Sequence, residues 1–399
     1  MGKNVSRTIT GILVFVAILT AGVLLQPEQS TQAALIRPNR VHIGMPGSGV
    51  VPMNNMTITT MAPLTNKNVW LAGWYTNDQY WAMPLFEHFN GSTWSVVTSP
   101  DTGYYGVINS LFAVSANNIW AVGSMQADPN AYNTDALVEH WDGSRWTIIP
   151  TNTPDTVASA NLSAVAGTAA NNVWFVGSYQ DAVTNLTRTF IEHWDGHLMQ
   201  PVASPNIDNT LADNLFSLSA TTANDIWAVG QATSQQGNQA TLTEHYDGAH
   251  WTIVPSPNAN QNPGGTSANW LNSVSATHSN DVWTVGNTQG PRQHPVYGLT
   301  EHYNGSAWQL MQGPTSPGTS QALSMVFAFA TKNAWALGTY ANGGPDNPLV
   351  EHYDGTTWSV ISLPPALTSL STCQRLGKTS TLYGIGTYNG VTQLVTLSN

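Results

Sequence analysis

The 399-residue sequence predicts an all-β fold: a seven-bladed β-propeller of four-stranded antiparallel blades, the last blade closed by an N-terminal strand. Three observations predict it. A unit of about fifty residues repeats, each unit holds four short β-forming runs, and a tight-turn dipeptide sits at a fixed place between the third and fourth runs.

The repeat carries two register marks. An Asn/Asp-apolar-Trp cluster gives Trp70, Trp120, Trp174, Trp227, Trp283 and Trp335, with Tyr383 in the last copy, at spacings of 48 to 56 residues. A Glu-His pair recurs at Glu87-His88, Glu139-His140, Glu192-His193, Glu244-His245, Glu301-His302 and Glu351-His352. The marks stay in phase throughout, so the periodicity is structural and not compositional.

The stretch 272–311 shows one unit clearly. Its runs are Ser273–Thr277, Val282–Gly286, Leu299–Tyr303 and Trp308–Met311, each too short for a stable helix and rich in β-branched or aromatic residues. Asn304-Gly305 lies between the last two, as Asp142-Gly143, Asp195-Gly196, Asp247-Gly248 and Asp354-Gly355 do elsewhere, and such dipeptides favour the positive φ of tight hairpins. Four antiparallel strands per unit with no helical period between them are the pattern of propeller blades. The predicted blades are 54–100, 107–152, 158–205, 211–258, 268–317, 320–365 and 366–399. The first runs are full of Ser, Ala and Val, which suits the crowded axis.

The seventh unit ends without a fourth run. The segment Arg40-Val-His-Ile-Gly-Met-Pro46 resembles fourth-run ends such as Trp251-Thr-Ile-Val-Pro-Ser-Pro257, so residues 38–46 are expected to complete that blade and remove its open edge.

Lys3 and Arg7 precede an apolar run from Ile9 to Leu25, then polar Gln26 to Gln32 and small Ala33 and Ala34. Residues 1–33 therefore read as a signal peptide cut after Ala33 or as an uncleaved N-terminal anchor, with residues 34–399 forming the propeller. Either way the expected location is secreted, or the extracellular face of the cell membrane. The single cysteine, Cys373, allows no intrachain disulfide. Only 8% of residues are charged, the net charge is −11 and Lys plus Arg number 11, so no basic stripe is left for phosphate contacts and nucleic-acid binding is disfavoured. A monomer is expected, touching membrane only through its N-terminal segment where that segment stays uncleaved.

The apolar strand ending in Gly, the aromatic in the third run and the Trp opening the fourth resemble the kelch and galactose-oxidase group of propellers. The turn Asp354-Gly-Thr-Thr-Trp358 is similar to the Asp-box hairpin of sialidase-type propellers. The resemblance implies the propeller fold. Sialidase chemistry would call for three arginines on one face, where only Arg188 and Arg292 fall in suitable loops. Galactose-oxidase chemistry would call for a copper site of His, Tyr and a Cys-linked Tyr, whereas His42, His197, His250, His278 and His294 are scattered over different blades. Neither cofactor nor metal is expected. Asp128, Asp135, Asp181, Asp208 and Asp213 could offer oxygens to calcium, but without ordered ligand spacing.

Glu-His pairs invite a catalytic reading, but a residue repeated in every blade solves a problem that every blade has. Adjacent strand residues point to opposite faces, so Glu and His are expected to face different neighbours and to hydrogen-bond within or between blades. Trp94, Trp146, Trp251, Trp308 and Trp358, with Met199 in the third blade, are expected to pack blade against blade.

In an up-and-down blade, the first-to-second and third-to-fourth turns share one face, and here both are short. The other face carries long, variable loops, where binding normally lives. Its aromatic candidates are Trp74, Tyr75, Tyr80, Trp81, Tyr104, Tyr105, Tyr132, Tyr179, Trp270, Tyr297 and Tyr340, set among Asn77, Asp78, Gln126, Asn130, Gln180, Asp181, Gln235, Asn238 and Asn342. Aromatic platforms among amides and carboxylates suit sugars, and suit protein partners as well. Two functions follow: an extracellular recognition or scaffold module for a glycan or protein, or a carbohydrate-active hydrolase or lyase with an Asp or Tyr site in the central pocket.

Overall fold

The computed structural model describes residues 56–126, 128, 133–154, 157–259, 268–290, 295–314, 317–377 and 379–398. Among them there is no helix, and 27 strands form seven blades. Blade 1 is β1 (Met56–Thr65), β2 (Asn68–Thr76), β3 (Ala82–Phe89) and β4 (Trp94–Val96). Blade 2 is β5 (Tyr105–Ser115), β6 (Asn118–Gln126), β7 (Asp135–Trp141) and β8 (Trp146–Ile148). Blade 3 is β9 (Val157–Ala169), β10 (Asn172–Asp181), β11 (Thr187–Trp194) and β12 (Met199–Pro201). Blade 4 is β13 (Thr210–Thr222), β14 (Asp225–Ser234), β15 (Gln239–Tyr246) and β16 (Trp251–Ile253). Blade 5 is β17 (Ala268–His278), β18 (Asp281–Gln289), β19 (Val296–Tyr303) and β20 (Trp308–Leu310). Blade 6 is β21 (Ser320–Ala330), β22 (Asn333–Ala341), β23 (Asn347–Tyr353) and β24 (Trp358–Val360). Blade 7 has three described strands, β25 (Leu367–Arg375), β26 (Leu382–Tyr388) and β27 (Val391–Leu397). The expected closing strand at 38–46 lies outside the described residues, as does the N-terminal segment 1–33.

Each blade is an antiparallel meander, and a single parallel pair, Thr187 with Ala212, joins the sheets of blades 3 and 4. Inner strands are longer than their sequence runs suggest: β17 spans Ala268–His278, not Ser273–Thr277. The reason is a bulge at Asn272, where the pairing skips from Leu271 to Ser273 and the alternation of side chains breaks. Every inner strand bulges at this place, opposite a glycine of the second strand.

That relationship explains the recurring glycine. A Cβ on Gly73, Gly123, Gly177, Gly230, Gly286 or Gly338 would lie 1.8 to 2.0 Å from a carbonyl oxygen of the inner strand, closer than any side chain can approach. The bulged residues also reach the next blade: Thr59 Oγ1 donates to the Ile108 carbonyl at 2.5 Å and Asn272 Nδ2 to the Leu323 carbonyl at 2.8 Å. In the other direction, N–H groups of one inner strand donate to hydroxyls of the previous one, Val274 to Ser217 at 3.2 Å and Val326 to Ser273 at 3.1 Å. Serine at the axis thus satisfies backbone donors that have no ladder partner.

The apolar core is divided among the blade interfaces. Seven clusters each draw on two neighbouring blades. One of them unites Met61, Val69, Leu71, Phe89 and Trp94 of blade 1 with Tyr383, Ile385 and Leu394 of blade 7, and so closes the ring by packing. The second-strand tryptophan is the centre of each interface. Trp227 is fully buried, stacks on His245 at 4.3 Å, and meets Tyr303 at 4.7 Å and Trp308 edge-on at 5.3 Å from the next blade. Where Met199 replaces the fourth-strand tryptophan, Trp120 keeps the third-strand partner, Trp194 at 5.2 Å, and meets Phe175 at 5.4 Å.

Candidate functional site

The third strand places Glu and His on opposite faces, and the two solve different problems. The six histidines each set Nε2 within 2.7 to 3.0 Å of the Asn or Asp that opens the second strand of the same blade: Asn68, Asn118, Asn172, Asp225, Asp281 and Asn333. The six glutamates are 0 to 1% exposed. Ser99 Oγ donates to Glu139 at 3.0 Å, the Asn152 N–H to Glu192 at 2.6 Å and Ser204 Oγ to Glu244 at 2.9 Å, all from the link that enters the blade, while Gln321 Nε2 donates to Glu351 at 2.6 Å. Burial raises Glu139, Glu244 and Glu301 to about 8, Glu87 and Glu351 to about 7 and Glu192 to about 6. A sealed carboxyl held near its protonated form stiffens the blade and does not face a substrate.

One face carries the short turns. In each third-to-fourth turn the Asn or Asp Oδ1 accepts two backbone N–H groups, as Asp142 does from Ser144 at 2.7 Å and Arg145 at 2.9 Å. The Ser144 hydroxyl and these two N–H groups hold Asp142 down at about 2. The following glycines have φ between +91° and +100°. A Cβ on Gly143 would strike Asn117, and one on Gly305 would strike Asn280, so the first-to-second turn of the same blade lies directly alongside.

On the opposite face, the aromatic candidates separate into two groups. Trp81 and Tyr104 meet edge-on at 6.0 Å across the junction of blades 1 and 2 and remain 37% and 39% exposed, and Tyr80 beside them is 88% exposed. The loop that carries Tyr80 and Trp81 is locked by Asn77, whose Oδ1 accepts the N–H groups of Gln79 at 3.0 Å and Trp81 at 2.9 Å, with Tyr80 at φ +65°. The Tyr104 N–H donates to the Gln126 carbonyl at 2.9 Å, and Gln126 Nε2 donates to the Asp128 carbonyl at 3.0 Å. Asp101 Oδ1 accepts the Gly103 N–H at 2.9 Å. This places Asp101 and Asp128 in the segments bonded around Tyr104.

The remaining candidates are not drawn together. Trp74, Tyr75, Tyr105 and Trp270 are half-buried in their strands. Tyr179 packs edge-on against Phe190 at 6.2 Å, Tyr340 packs on the blade 5–6 core, and Tyr297 is exposed on blade 5. Tyr132 lies outside the described residues, with Asn130, Arg292 and His294. Several amides proposed around the aromatics serve the loops themselves: Asn77 as above, and Gln180 through Nε2 to Asn185 at 2.7 Å. Sequence reasoning missed that use because an Asx-locked loop and a solvent-facing amide have the same composition.

Charge differs between the faces. Asp78, Asp101, Asp128, Asp135, Asp208 and Asp346 are exposed on the loop face, where the one described cation, Arg188, sits 3.7 Å from buried Asp213. Lys67, Arg145, Lys332 and Arg375 lie at the short-turn side. Asp213 is the only acidic residue of the described inner strands, is 0% exposed, and accepts from the Ile207 N–H at 2.9 Å and the Thr210 hydroxyl at 3.0 Å. Among the described residues no group of three or more His, Cys, Asp or Glu could hold a metal ion.

No family model and no curated protein matches the chain. Among solved structures it is similar to one described as YCF48 bound to D1 peptide, at 14% identity and a TM-score of 0.50, over 88% of this chain and 94% of that one. The likeness extends over nearly the whole ring and is one of fold.

Proposed function

We propose that this chain is an extracellular recognition module, secreted or tethered at the cell surface, that binds a glycan or protein partner on its loop face. The observation that carries the reading is the exposed Tyr80, Trp81 and Tyr104 patch, with Tyr80 and Trp81 on a loop braced by Asn77 and Tyr104 bonded through its N–H to the Gln126 carbonyl. Rigid aromatics exposed on an ordered loop cost little to order on binding and bury much area when covered. The acidic surround selects a partner surface that is neutral or cationic. That a propeller of the same fold carries a bound peptide in the YCF48 structure supports a protein partner as readily as a sugar.

A carbohydrate-active enzyme with a central carboxylate pair finds less support. The described inner strands, which line the axis, offer only Asp213, and it is sealed and hydrogen-bonded.

A panel of neutral oligosaccharides, amino-sugar oligosaccharides, basic peptides and acidic peptides, screened for binding and for product release, tests the proposal. Trp81→Ala and Tyr104→Ala should each weaken a hit by about 2 kcal/mol, roughly 30-fold, and Lys332→Ala on the opposite side should leave it unchanged. Binding that ignores both aromatic variants, a preference for acidic peptides, or product release lost on a single Asp→Ala change would each reject it.

A further inference from the structure

Asp213 departs from the repeat. Two residues before the one paired with the recurring glycine, blades 1, 2, 3, 5 and 6 carry Met56, Gly106, Ala160, Asn269 and Gln321, whereas blade 4 carries an acid. Blade 6 shows what a side chain at this place reaches: Gln321 Nε2 donates to the third-strand Glu351 at 2.6 Å. In blade 4 the same register sets Asp213 toward Glu244, and the Asp213 charge acts on Glu244 directly. Both residues are 0% exposed.

Two separate counts describe this pair. The first is of hydrogen bonds. One oxygen of each carboxyl is met: Asp213 Oδ2 accepts the Ile207 N–H at 2.9 Å and the Thr210 hydroxyl at 3.0 Å, and Glu244 Oε2 accepts the Ser204 hydroxyl at 2.9 Å. Asp213 Oδ1 and Glu244 Oε1 are buried with no donor among the described residues. Two neighbouring acceptors thus lack one hydrogen. The second count is of charge. Arg188, its Nη1 3.7 Å from Asp213 Oδ2 and 3.2 Å from Thr210 Oγ1, is one cation against two acids. Buried charge persists only when it is paired, and one proton on the two carboxyls leaves a single negative charge for the guanidinium.

No other described ionisable group on the packed elements faces the pair. Tyr179 and Glu192 turn toward blade 2, and His193, Asp225, His245 and Tyr246 sit at the short-turn end. Asp181 caps its own hairpin, and Asp208 is exposed.

We infer that Asp213 and Glu244 hold one proton between them, and that this proton latches the junction of blades 3 and 4 on the loop face. The acid form of one group donates to the carboxylate of the other. The latch secures the segment 204–210, which is tied to Glu244 through Ser204 and to Asp213 through Ile207 and Thr210, and which leads to Leu211, 40% exposed. Burial raises both carboxyls, and Asp213 adds to the rise of Glu244, so the proton is kept through neutral pH and lost as pH rises further. Its loss leaves two like charges sealed beside one guanidinium, and the segment held by both carboxyls is released.

The test uses the full chain with Asp213→Asn, with Glu244→Gln and with both. Either amide alone supplies the missing hydrogen and leaves one carboxylate for Arg188, so each single variant should melt within about 2 °C of the parent at pH 7. The double variant leaves Arg188 beside two amides and should melt about 5 °C lower. Amide exchange at Ile207, referred to the intrinsic rate at each pH, reads the segment itself. Its protection should fall about 10-fold between pH 7 and about pH 9.5 in the parent and stay level in both single variants. A double variant as stable as the singles would mean that both carboxyls are protonated, and single variants melting about 5 °C above the parent would mean that neither is. Alkaline loss of protection that is absent from the parent, that persists in the single variants, or that is reversed by calcium would equally overturn the inference.

Discussion

His193 Nε2 and Trp174 Nε1 converge on one oxygen, Asn172 Oδ1, at 2.8 Å each, while the two rings stack at 4.2 Å. One asparagine thus fixes both the core tryptophan of blade 3 and the histidine across the strand. Asn172→Ala strands both donors and should cost on the order of 2 to 4 kcal/mol, read by denaturant unfolding. His193→Gln, which can keep a donor to Asn172, should cost less. Equal stability of Asn172→Ala and the parent would show that the shared oxygen contributes nothing.

The glycine opposite the bulge predicts a sharp contrast. Gly230→Ala puts a methyl 1.9 Å from the Asn214 carbonyl oxygen and should destabilise by about 3 kcal/mol or more. Gly390→Ala meets nothing within 4 Å and suffers only its φ of +74°, at a cost of about 1 kcal/mol. Comparable melting temperatures for the two variants would contradict the packing account of the recurring glycine.

The buried glutamates predict an unusual pH dependence. Their carboxyls are raised from 4.5 to between about 6 and 8, so the folded chain holds protons that the unfolded chain has released. Stability from this source is fully present below pH 4.5 and is lost as pH rises through the folded values. His88, His140, His193 and His352 act oppositely, being lowered from 6.5 by burial, and their contribution levels off as pH rises past that value. Above pH 6.5 the contribution of these four histidines to the pH dependence fades while that of the glutamates raised to about 7 and 8 persists, so the melting temperature should fall between pH 6.5 and 8. Glu139→Gln should flatten that fall by on the order of 1 kcal/mol or more. A melting temperature that rises over this interval would reverse the sign and refute the assignment.

Cys373 offers a local probe. It is buried, its thiol pKa is pushed up by burial, and its N–H donates to Met325 Sδ across the blade 6–7 boundary at 3.3 Å. A thiol reagent should label it at the rate of blade 7 opening and not at that of a free thiol. Immediate stoichiometric labelling under native conditions would show that the last blade does not seal this residue.

Much of the scaffold was legible because its problems recur. Seven copies of a Gly, and six each of a Trp and a Glu-His pair, make periodicity visible even at 48 to 56 residues per unit. The bulge was not: Thr59, Asn109, Ser163, Asn272, Ser324 and Ser371 are short polar residues of a kind common all along these strands, Phe216 breaks even that pattern, and the glycine across from them marks the place. The site was legible as a face but not as a set of residues. Trp81 and Tyr179 look alike in sequence, yet one ring projects beside Tyr104 and the other folds onto Phe190, a difference decided by contacts distant along the chain. Donors to the glutamates were hidden for the same reason, Ser99 and Glu139 being forty residues apart.

The short-turn face has a consequence for how such a chain can change over time. Each blade's register is pinned twice, at the Asx-locked turn on one side and at the glycine beneath the bulge near the axis. Neither pin involves the loops of the other side. Residues such as 235–238 can accordingly be lengthened, shortened or replaced with the strands keeping step, so a new specificity can be written onto one blade while its six neighbours serve as unaltered backing. The molecule is in that sense a set of separable pages in a fixed binding.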